Sequence, residues 1–307
     1  MYAVSAQVND VGIVKVPLLP APTFALDVPS ILNTLSGPEG STIKLAYFCS
    51  PGNPTGSLLA KSDIEAVLAH PTWNGVVVVD EAYVDFAAEE EAASLAELVA
   101  EYPNLVVMQT LSKAFGMAGI RLGAAFTSEP IATLLNSLKA PYNIASPTSA
   151  LASAALSEPG LKVMRSNRAN IQQQRDRLLK ELPRIDGVGK LCGGTESNFL
   201  LYQMLNKNGE ADNTTALAVY EKLAEVKGVV VRFRGKEHGC LGCLRITIGT
   251  ENEVTRLLES LTKTLAEVSK CDLDDIKVIT ESPGYITSHS CRLGPLWVNI
   301  IIENYIQ

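Results

Sequence analysis

The chain has 307 residues, a formal net charge of −7, 19% charged residues and 47% hydrophobic residues. This mixture is typical of a folded globular protein and excludes a disordered chain. The acidic balance argues against non-specific binding to nucleic acid or to an anionic membrane, because both require a basic surface. No uncharged apolar run approaches the roughly 18–20 residues of a membrane-spanning helix, and the opening residues lack the features of a signal peptide. Six cysteines without such a signal predict reduced thiols and a cytoplasmic location.

Short apolar runs alternate with helical segments along the first half of the chain. A Pro- and Val-rich opening predicts a short strand and then an extended connection. The strands predicted after it are 43–49, 75–79, 104–109 and 122–127. Helical segments are predicted at about 61–69 and 94–101. Such alternation is typical of a mostly parallel sheet flanked by helices, so we predict a large α/β domain over residues 1–147.

The pattern changes after Pro141 and predicts a smaller α+β domain over residues 148–270. Residues 148–182 are helical for most of their length. The shorter elements predicted after them are strands at 198–203, 228–233 and 243–249 and helices at about 214–226 and 251–268. The tail, residues 271–307, diverges from this pattern and ends in LWVNIIIENYIQ. It is either a strand that caps a domain or sequence that does not belong to the ancestral fold, such as an altered exon end, and we favour the second interpretation.

Polar side chains follow the predicted strands of the first domain in a fixed order. They are Asn53 within SPGNPTG, Asp80 and Tyr83 within VVVVDEAYVDF, Lys113 within TLSKAFG, and Arg121 within AGIRLG. Each lies directly after an apolar strand or in the adjoining turn. In an open parallel sheet, ligands bind at this edge.

A cofactor whose pyridine ring accepts electrons from the substrate needs protein groups for four separate tasks. A lysine amine must form a Schiff base with the cofactor aldehyde, and a carboxylate must keep the ring nitrogen protonated. Further donors must reach the ring hydroxyl oxygen, and hydroxyls with an arginine must hold the phosphate. The sequence offers these candidates in turn: Lys113, Asp80, Asn53 with Tyr83, and Ser112 with Arg121.

These motifs resemble those of the fold-type-I pyridoxal-phosphate-dependent aminotransferases, and more narrowly those of the histidinol-phosphate aminotransferases. The matching segments are PGNPTG, VDEAYVDF, TLSKAFGMAGIRLG, ESNFLL and GCLRITIGT. The resemblance covers Ala3 to Val268. It implies pyridoxal 5'-phosphate as cofactor, a homodimer, and conversion of histidinol phosphate and 2-oxoglutarate to imidazole acetol phosphate and L-glutamate in histidine biosynthesis. The family's N-terminal arm, its glycine-containing phosphate-binding turn and its ring-stacking aromatic residue have no counterpart in this sequence.

The resemblance also implies a role for each matching residue in the cofactor site. Lys113 resembles the lysine that forms the Schiff base and shuttles the Cα proton. Asp80 resembles the partner of the pyridine nitrogen, and Asn53 and Tyr83 resemble the donors to the ring oxygen. The residues that resemble the phosphate cradle are Thr110, Ser112 and Arg121.

Four further residues match substrate-binding positions. Arg245 in CLRIT resembles the arginine that binds the α-carboxylate of the amino donor, and Arg232 in VVVRFRG resembles the arginine that faces the substrate phosphate. Tyr142 and Asn198 lie where the family lines the substrate cleft.

Each of these residues also has a purely structural interpretation. Lys113 could be a solvated surface charge and Asp80 a helix cap, but their positions after buried strands favour function. Arg245 lies in mid-strand, where an unpaired charge is costly, so a functional use is favoured there too. Tyr142 and Asn198 could equally be packing and turn residues.

Other motifs carry weaker signals. Cys240 and Cys243 form a lone CxxC motif, and the sequence offers no second ligand pair with the spacing of a zinc site. We therefore predict no metal site. The glycine-rich segment 187–194 lacks the ending and the preceding strand of a phosphate loop, so it is interpreted as a turn.

Two alternatives to a histidinol-phosphate aminotransferase stay open. The chain could be another aminotransferase or a decarboxylase of the same superfamily, and Arg232 is the residue that would distinguish them. It could also be a non-catalytic fragment that pairs with a longer subunit. In every enzymatic case we expect a small-molecule substrate as partner, and neither nucleic acid nor membrane.

Overall fold

The computed structural model describes residues 2–89, residues 93–270 and the strand 300–303. Within these residues the chain forms two β-sheets flanked by helices, one of six strands and one of four. The helices of this part of the chain are all too short or too polar to cross a membrane. The α/β prediction with a mostly parallel sheet is confirmed.

The first sheet has the strand order β1-β10-β2-β3-β4-β5. Neighbouring strands are parallel except for β5, which runs antiparallel to β4. The strands are β1 (Ile13–Lys15), β2 (Ile43–Cys49), β3 (Val76–Asp80), β4 (Leu105–Thr110), β5 (Gly123–Thr127) and β10 (Ile300–Glu303).

The second sheet is antiparallel and has the order β6-β7-β9-β8. Its strands are β6 (Val188–Leu191), β7 (Phe199–Met204), β8 (Arg232–Phe233) and β9 (Cys243–Thr247). The α-helices in chain order are α1 (Tyr2–Val8), α2 (Val28–Ser36), α3 (Lys61–Leu68), α4 (Glu129–Ser137), α5 (Ser146–Ala155), α6 (Glu158–Glu181), α7 (Asn213–Glu225) and α8 (Glu251–Val268).

The β3 strand shows why the first sheet forms where it does. Its sequence VVVVD is continuously apolar up to the last residue, and Val77 and Val79 are fully buried. Branched side chains favour extended backbone, and an apolar run without alternation suits a strand that is covered on both faces. The first polar side chain, Asp80, therefore comes at the carboxyl edge of the sheet.

The α8 helix packs against the face of the second sheet that points away from the first sheet. It begins with a capping box, in which the Thr250 side chain and the Glu253 side chain each accept a hydrogen bond from the other residue's backbone N–H. Its buried residues recur at helical spacing and pack with β7 and β9; they are Val254, Leu257, Leu258, Leu261, Thr264, Leu265 and Val268. One face of the second sheet is thereby closed off from solvent.

The other face of the second sheet shares a core with the first sheet. Leu201 and Cys243 from β7 and β9 belong to the same buried cluster as Phe48 and Val79 from β2 and β3. The two sheets therefore meet across an apolar layer. The division of the chain at residue 147 stays a prediction, because this cluster contains residues from both sides of it.

Most predicted elements are confirmed, and four expectations are wrong. The opening of the chain forms the helix α1 before the predicted short strand β1. The extended connection contains the helix α2, which starts from Asp27 as N-cap with Pro29 in its first turn, a position that proline tolerates. The segment 187–194 contains β6 rather than a turn alone. The strand expected at 228–233 is confined to Arg232–Phe233.

The described part of the tail lies inside the first sheet. Residues 300–303 form β10, which pairs in parallel with β1 on one side and with β2 on the other. These four residues are thus an internal strand of the sheet and not a cap at its edge, and the origin of the tail outside the ancestral fold stays a prediction. The remaining tail residues lie outside the described part of the chain.

We expect proline in β10 to destabilise the protein. An internal strand has ladder partners on both sides, and proline removes one backbone N–H donor. Ile302→Pro should therefore lower the free energy of unfolding by at least about 1 kcal/mol and speed amide hydrogen exchange in β1. The control Ile302→Val keeps the N–H. Equal unfolding curves for the two variants would show that β10 does not belong to the sheet.

Candidate active site

The predicted cofactor residues lie at the carboxyl ends of neighbouring strands. Asp80 is the last residue of β3, Thr110 is the last residue of β4, and Lys113 lies in the turn that follows. Because β3 and β4 are parallel, with Asp80 beside Met108, these residues share one edge of the sheet.

Asp80 is a half-buried carboxylate with two hydrogen-bond donors. Its Oδ1 accepts the Ala82 N–H at 3.0 Å, and its Oδ2 accepts the hydroxyl of Tyr2. Burial raises the pKa of Asp80, whereas the Ala82 hydrogen bond and the positive charge of Lys113 lower it. Asp80 and Lys113 therefore interact electrostatically, as a ring-nitrogen partner and an amine of one site should.

A short series of contacts joins Lys113 to the second sheet. The Lys113 Nζ lies 5.3 Å from the centre of the Tyr83 ring. That ring meets Phe199 edge to face, with 5.1 Å between centroids. The guanidinium carbon of Arg245 lies 4.9 Å from the Phe199 ring centre. These distances suit cation–π and aromatic contacts, so residues from both sheets form one continuous group.

Arg245, the last residue of this series, is hydrogen-bonded to the turn that contains Asn53. Its Nη1 donates to Asn53 Oδ1 at 2.6 Å. Burial lowers the pKa of Arg245, and so does the charge of Arg234, while Tyr83 acts in the opposite direction. With its amide oxygen engaged, Asn53 has the two hydrogens of Nδ2 available as donors.

The two sheets approach closely beside Asn53. The Gly194 N–H donates to the Thr55 carbonyl at 2.9 Å. A Cβ at Gly193 would lie 1.8 Å from that same carbonyl oxygen, so only glycine fits. This contact keeps the Asn53 turn against the second sheet.

The predicted phosphate cradle is partly assembled. The Thr110 hydroxyl donates to Ser112 Oγ at 2.9 Å, and the Ser112 N–H donates to Thr110 Oγ1 at 3.2 Å. Arg121 has a left-handed backbone, with φ of 54°, and its Nη1 donates to Ala118 O. The two hydroxyls are therefore brought together, whereas the Arg121 guanidinium contacts its own loop.

The predicted substrate residues differ in their placement. Arg232 lies directly opposite Arg245 in the second sheet. Asn198 precedes β7, and its backbone carbonyl accepts the Ile248 N–H at 2.9 Å. Tyr142 is 99% exposed, so the structure does not bring it into the group around Arg245. The roles of these residues stay predictions.

A cavity of about 630 Å³ borders the site. Asp80 and Thr110 line it together with Met108 and with residues of β5 and α4. It is large enough for a ring-sized ligand. Space thus exists beside the Asp80 carboxylate and Thr110.

Sequence reasoning missed several residues of the site. Phe199 is only 1% exposed and reads in the sequence as an ordinary core residue of a strand. Its position directly after Asn198 in the ESNFLL motif was the available signal. Glu237 and Tyr2 stand in no motif, and only the folded chain brings them to Arg234 and Asp80.

The fold and the site together define a class of protein. An open, mostly parallel sheet with a carboxylate, an amine and a hydroxyl pair at its carboxyl edge suits an α/β enzyme that binds a phosphorylated cofactor. The chain belongs to the aminotransferase class I and II family, which it matches over residues 1–261.

Comparisons with individual proteins agree with that assignment. The chain is 54% identical over 269 residues to the histidinol-phosphate aminotransferase of Schizosaccharomyces pombe, covering 87% of this chain and 68% of that one. Two solved structures of histidinol-phosphate aminotransferases share the fold. The one from Clostridium acetobutylicum has a TM-score of 0.73 and 21% identity, and it matches 87% of this chain and 75% of its own. The one from Sinorhizobium meliloti, in complex with pyridoxal-5'-phosphate, has a TM-score of 0.68 and 23% identity, with 79% and 62% covered.

We expect the buried charge of Asp80 to cost stability when no ligand is bound. A carboxyl group whose pKa is raised on folding favours the folded state below its unfolded pKa, and this contribution is lost as the pH rises through its folded pKa. Asp80→Asn should therefore raise the melting temperature of the cofactor-free chain at about pH 7, and the gain should shrink toward about pH 4.

The control is Asp176→Asn, which removes an exposed carboxylate from α6 and should leave the melting temperature nearly unchanged. The measurement is the melting temperature of the wild type and of both variants between about pH 4 and pH 7. A gain for Asp80→Asn that does not depend on pH would contradict the explanation.

Proposed function

We propose that the chain is a pyridoxal-phosphate-dependent aminotransferase that converts histidinol phosphate and 2-oxoglutarate to imidazole acetol phosphate and L-glutamate. The observation that carries the proposal is the 54% identity to a histidinol-phosphate aminotransferase over most of this chain. The series of contacts that joins Lys113, beside Asp80 at the edge of the first sheet, to Arg245 of the second sheet supports it. Histidine biosynthesis is the pathway to which this reaction belongs.

The residues present fit pyridoxal phosphate. Asp80 offers a half-buried carboxylate that would face the ring nitrogen, and Lys113 offers an amine that interacts with that carboxylate. Thr110 and Ser112 offer paired hydroxyls for the phosphate. In the proposal, Arg121 adds the positive charge of the cradle.

When bound, pyridoxal phosphate supplies an electron sink that stabilises the negative charge left at a substrate carbon after proton loss. The chain's own residues handle the proton and the orientation. Lys113 removes the proton from the substrate Cα and returns a proton, acting as general base and then as general acid. Its contact with the Tyr83 ring and the charge of Asp80 hold the amine at the carboxyl edge.

The second sheet orients the substrate. Arg245 is proposed to bind the α-carboxylate of glutamate, because a guanidinium suits a carboxylate in two parallel hydrogen bonds. Its hydrogen bond to Asn53 fixes the amide so that Nδ2 can donate to the cofactor's ring oxygen. Tyr83 is proposed as the second donor, Arg232 as the phosphate ligand, and Asn198 and Tyr142 as residues of the cleft.

The assembly and location of the protein are also part of the proposal. We infer a homodimer, because the aminotransferases that the sequence resembles are dimeric. We also infer a cytoplasmic location, which suits the reduced state of the cysteines that the structure describes.

We expect Lys113→Ala to abolish covalent attachment of the cofactor. Titration of the wild-type chain with pyridoxal phosphate should give saturable binding and a visible absorbance band, and borohydride should fix the cofactor on Lys113. In Lys113→Ala the band and the fixed adduct should be lost, and turnover should fall by at least about 100-fold because proton transfer lacks its base.

Lys162→Ala serves as the matched control, because it removes an exposed lysine of α6. It should bind and react like the wild type. Absence of saturable binding by the wild-type chain would contradict the proposed function. Release of carbon dioxide in place of glutamate formation would assign the chain to the decarboxylases instead.

A further inference from the structure

Three arginine side chains gather on one face of the second sheet. Arg232 lies directly opposite Arg245 in the β8–β9 pair, and the Arg234 N–H donates to the Cys243 carbonyl at 2.9 Å. Residues opposite each other, or two apart along a strand, lie on the same face. Because Cys243 belongs to the core shared with the first sheet, the arginines lie on the side of the second sheet that faces the first; Arg234 and Arg245 are partly buried there, and Arg232 is exposed.

The positive charge of this cluster is only partly balanced. Arg234 and Arg232 both lower the pKa of Arg245 after burial, which shows that the three guanidinium groups lie within electrostatic range. Glu237 is the carboxylate that faces them, with its Oε1 at 2.8 Å from Arg234 Nη1. Three positive charges against one negative charge leave an excess of two.

Three polar atoms at this place are buried and have no hydrogen-bond partner. They are Arg234 Nε, Arg245 Nε and Glu237 Oε2. Most of the surface of the Arg234 and Glu237 side chains is covered, with 27% and 17% exposed. Buried polar atoms without partners are costly, and the two arginine Nε–H donors among them indicate a place where a ligand could accept hydrogen bonds.

We propose that Arg234, positioned by Glu237, is a second ligand of the substrate's phosphate group, and that the cluster selects a phosphate dianion. This proposal rests on the proposed function and adds a specificity-determining residue to it. A phosphate monoester carries about −1.5 to −2 charges near neutral pH, which matches the excess of two. Arg234 suits this role because guanidinium groups bind phosphate oxygens in a two-pronged fashion.

Glu237 prepares Arg234 for that role. The two residues belong to one turn, in which the Glu237 N–H donates to the Arg234 carbonyl at 3.0 Å. Their side-chain contact limits the positions that the guanidinium can take, so less freedom is lost when an anion binds. The carboxylate also keeps the excess charge at two rather than three.

The test compares phosphorylated and unphosphorylated substrate. Arg234→Gln should raise the KM for histidinol phosphate about tenfold or more, because one charged hydrogen-bonding group is lost. The kcat should change little, and kinetics with unphosphorylated histidinol should stay the same. Inorganic phosphate, used as a probe in calorimetry and as an inhibitor, should bind more weakly by a similar factor.

Two further variants keep the test decisive. Lys236→Gln removes one positive charge from an exposed residue of the same loop and should change none of these constants. An equal loss in Lys236→Gln would show a general field effect and overturn the role of Arg234. If Arg234→Gln does not fold, Arg234→Lys is the variant to measure. We expect an intermediate loss of phosphate affinity, because lysine keeps the positive charge but lacks the two-pronged guanidinium group.

Glu237→Gln tests the charge balance. The amide still accepts a hydrogen bond from Arg234 but carries no charge, so phosphate should bind about threefold more tightly, since the local excess rises. Unchanged or weaker binding would overturn the role given to Glu237.

The outcomes also separate this proposal from the proposed function. Weak phosphate binding in Arg234→Gln, in a protein without aminotransferase activity, would overturn the function and keep the anion site. Full activity with an unchanged KM in Arg234→Gln would keep the function and overturn the site.

Discussion

The hydrogen bond between Arg245 and Asn53 links a substrate-side arginine of the second sheet to a turn of the first sheet. It requires an arginine in mid-strand on β9 and a turn after β2 that reaches across to it. The close approach of Gly193 and Gly194 to the Thr55 carbonyl keeps that turn in place. Together with the aromatic contacts of Tyr83 and Phe199, this hydrogen bond brings the polar groups of the first sheet and the arginines of the second into one group.

Much of the first sheet was predictable because its strands are buried on both faces. A run such as VVVVD needs no partner information to be recognised as a strand, and its end marks the sheet edge. Asp80 and Lys113 were therefore predictable as site residues from position alone. In contrast, the partners of β10 depend on contacts between distant parts of the chain, and no local pattern in the tail specifies that it lies between β1 and β2.

Residues that act through others were the hardest to predict. Phe199 carries no polar group, yet its ring lies between Tyr83 and Arg245. Glu237 becomes relevant only because a turn brings it to Arg234, and a charged residue in a polar loop has no distinguishing signal. Such residues are defined by contacts in space, whereas the motifs reveal residues that are defined by their place along a strand.

The overall charge and the local charge of the protein have opposite signs, and both follow from the physical environment. The chain is acidic as a whole, with a formal charge of −7. Arg234 and Arg245 of the arginine cluster are partly buried, and the lower dielectric there strengthens their interaction with an anion, whereas Arg232 is exposed. In the proposed function, an anionic substrate would depend on this local excess of positive charge, whereas the net charge governs solubility and non-specific binding.

The rings of Tyr83 and Phe199 keep the two charged ends of the site apart. Lys113, which interacts with Asp80, lies against the Tyr83 ring, whereas Arg245 lies against the Phe199 ring. Each cation therefore lies against a π-face, and the aromatic pair separates the amine from the guanidinium group. The group thus has an acid–amine end and a guanidinium end, which are the two ends that the proposed cofactor and an anionic substrate would require together.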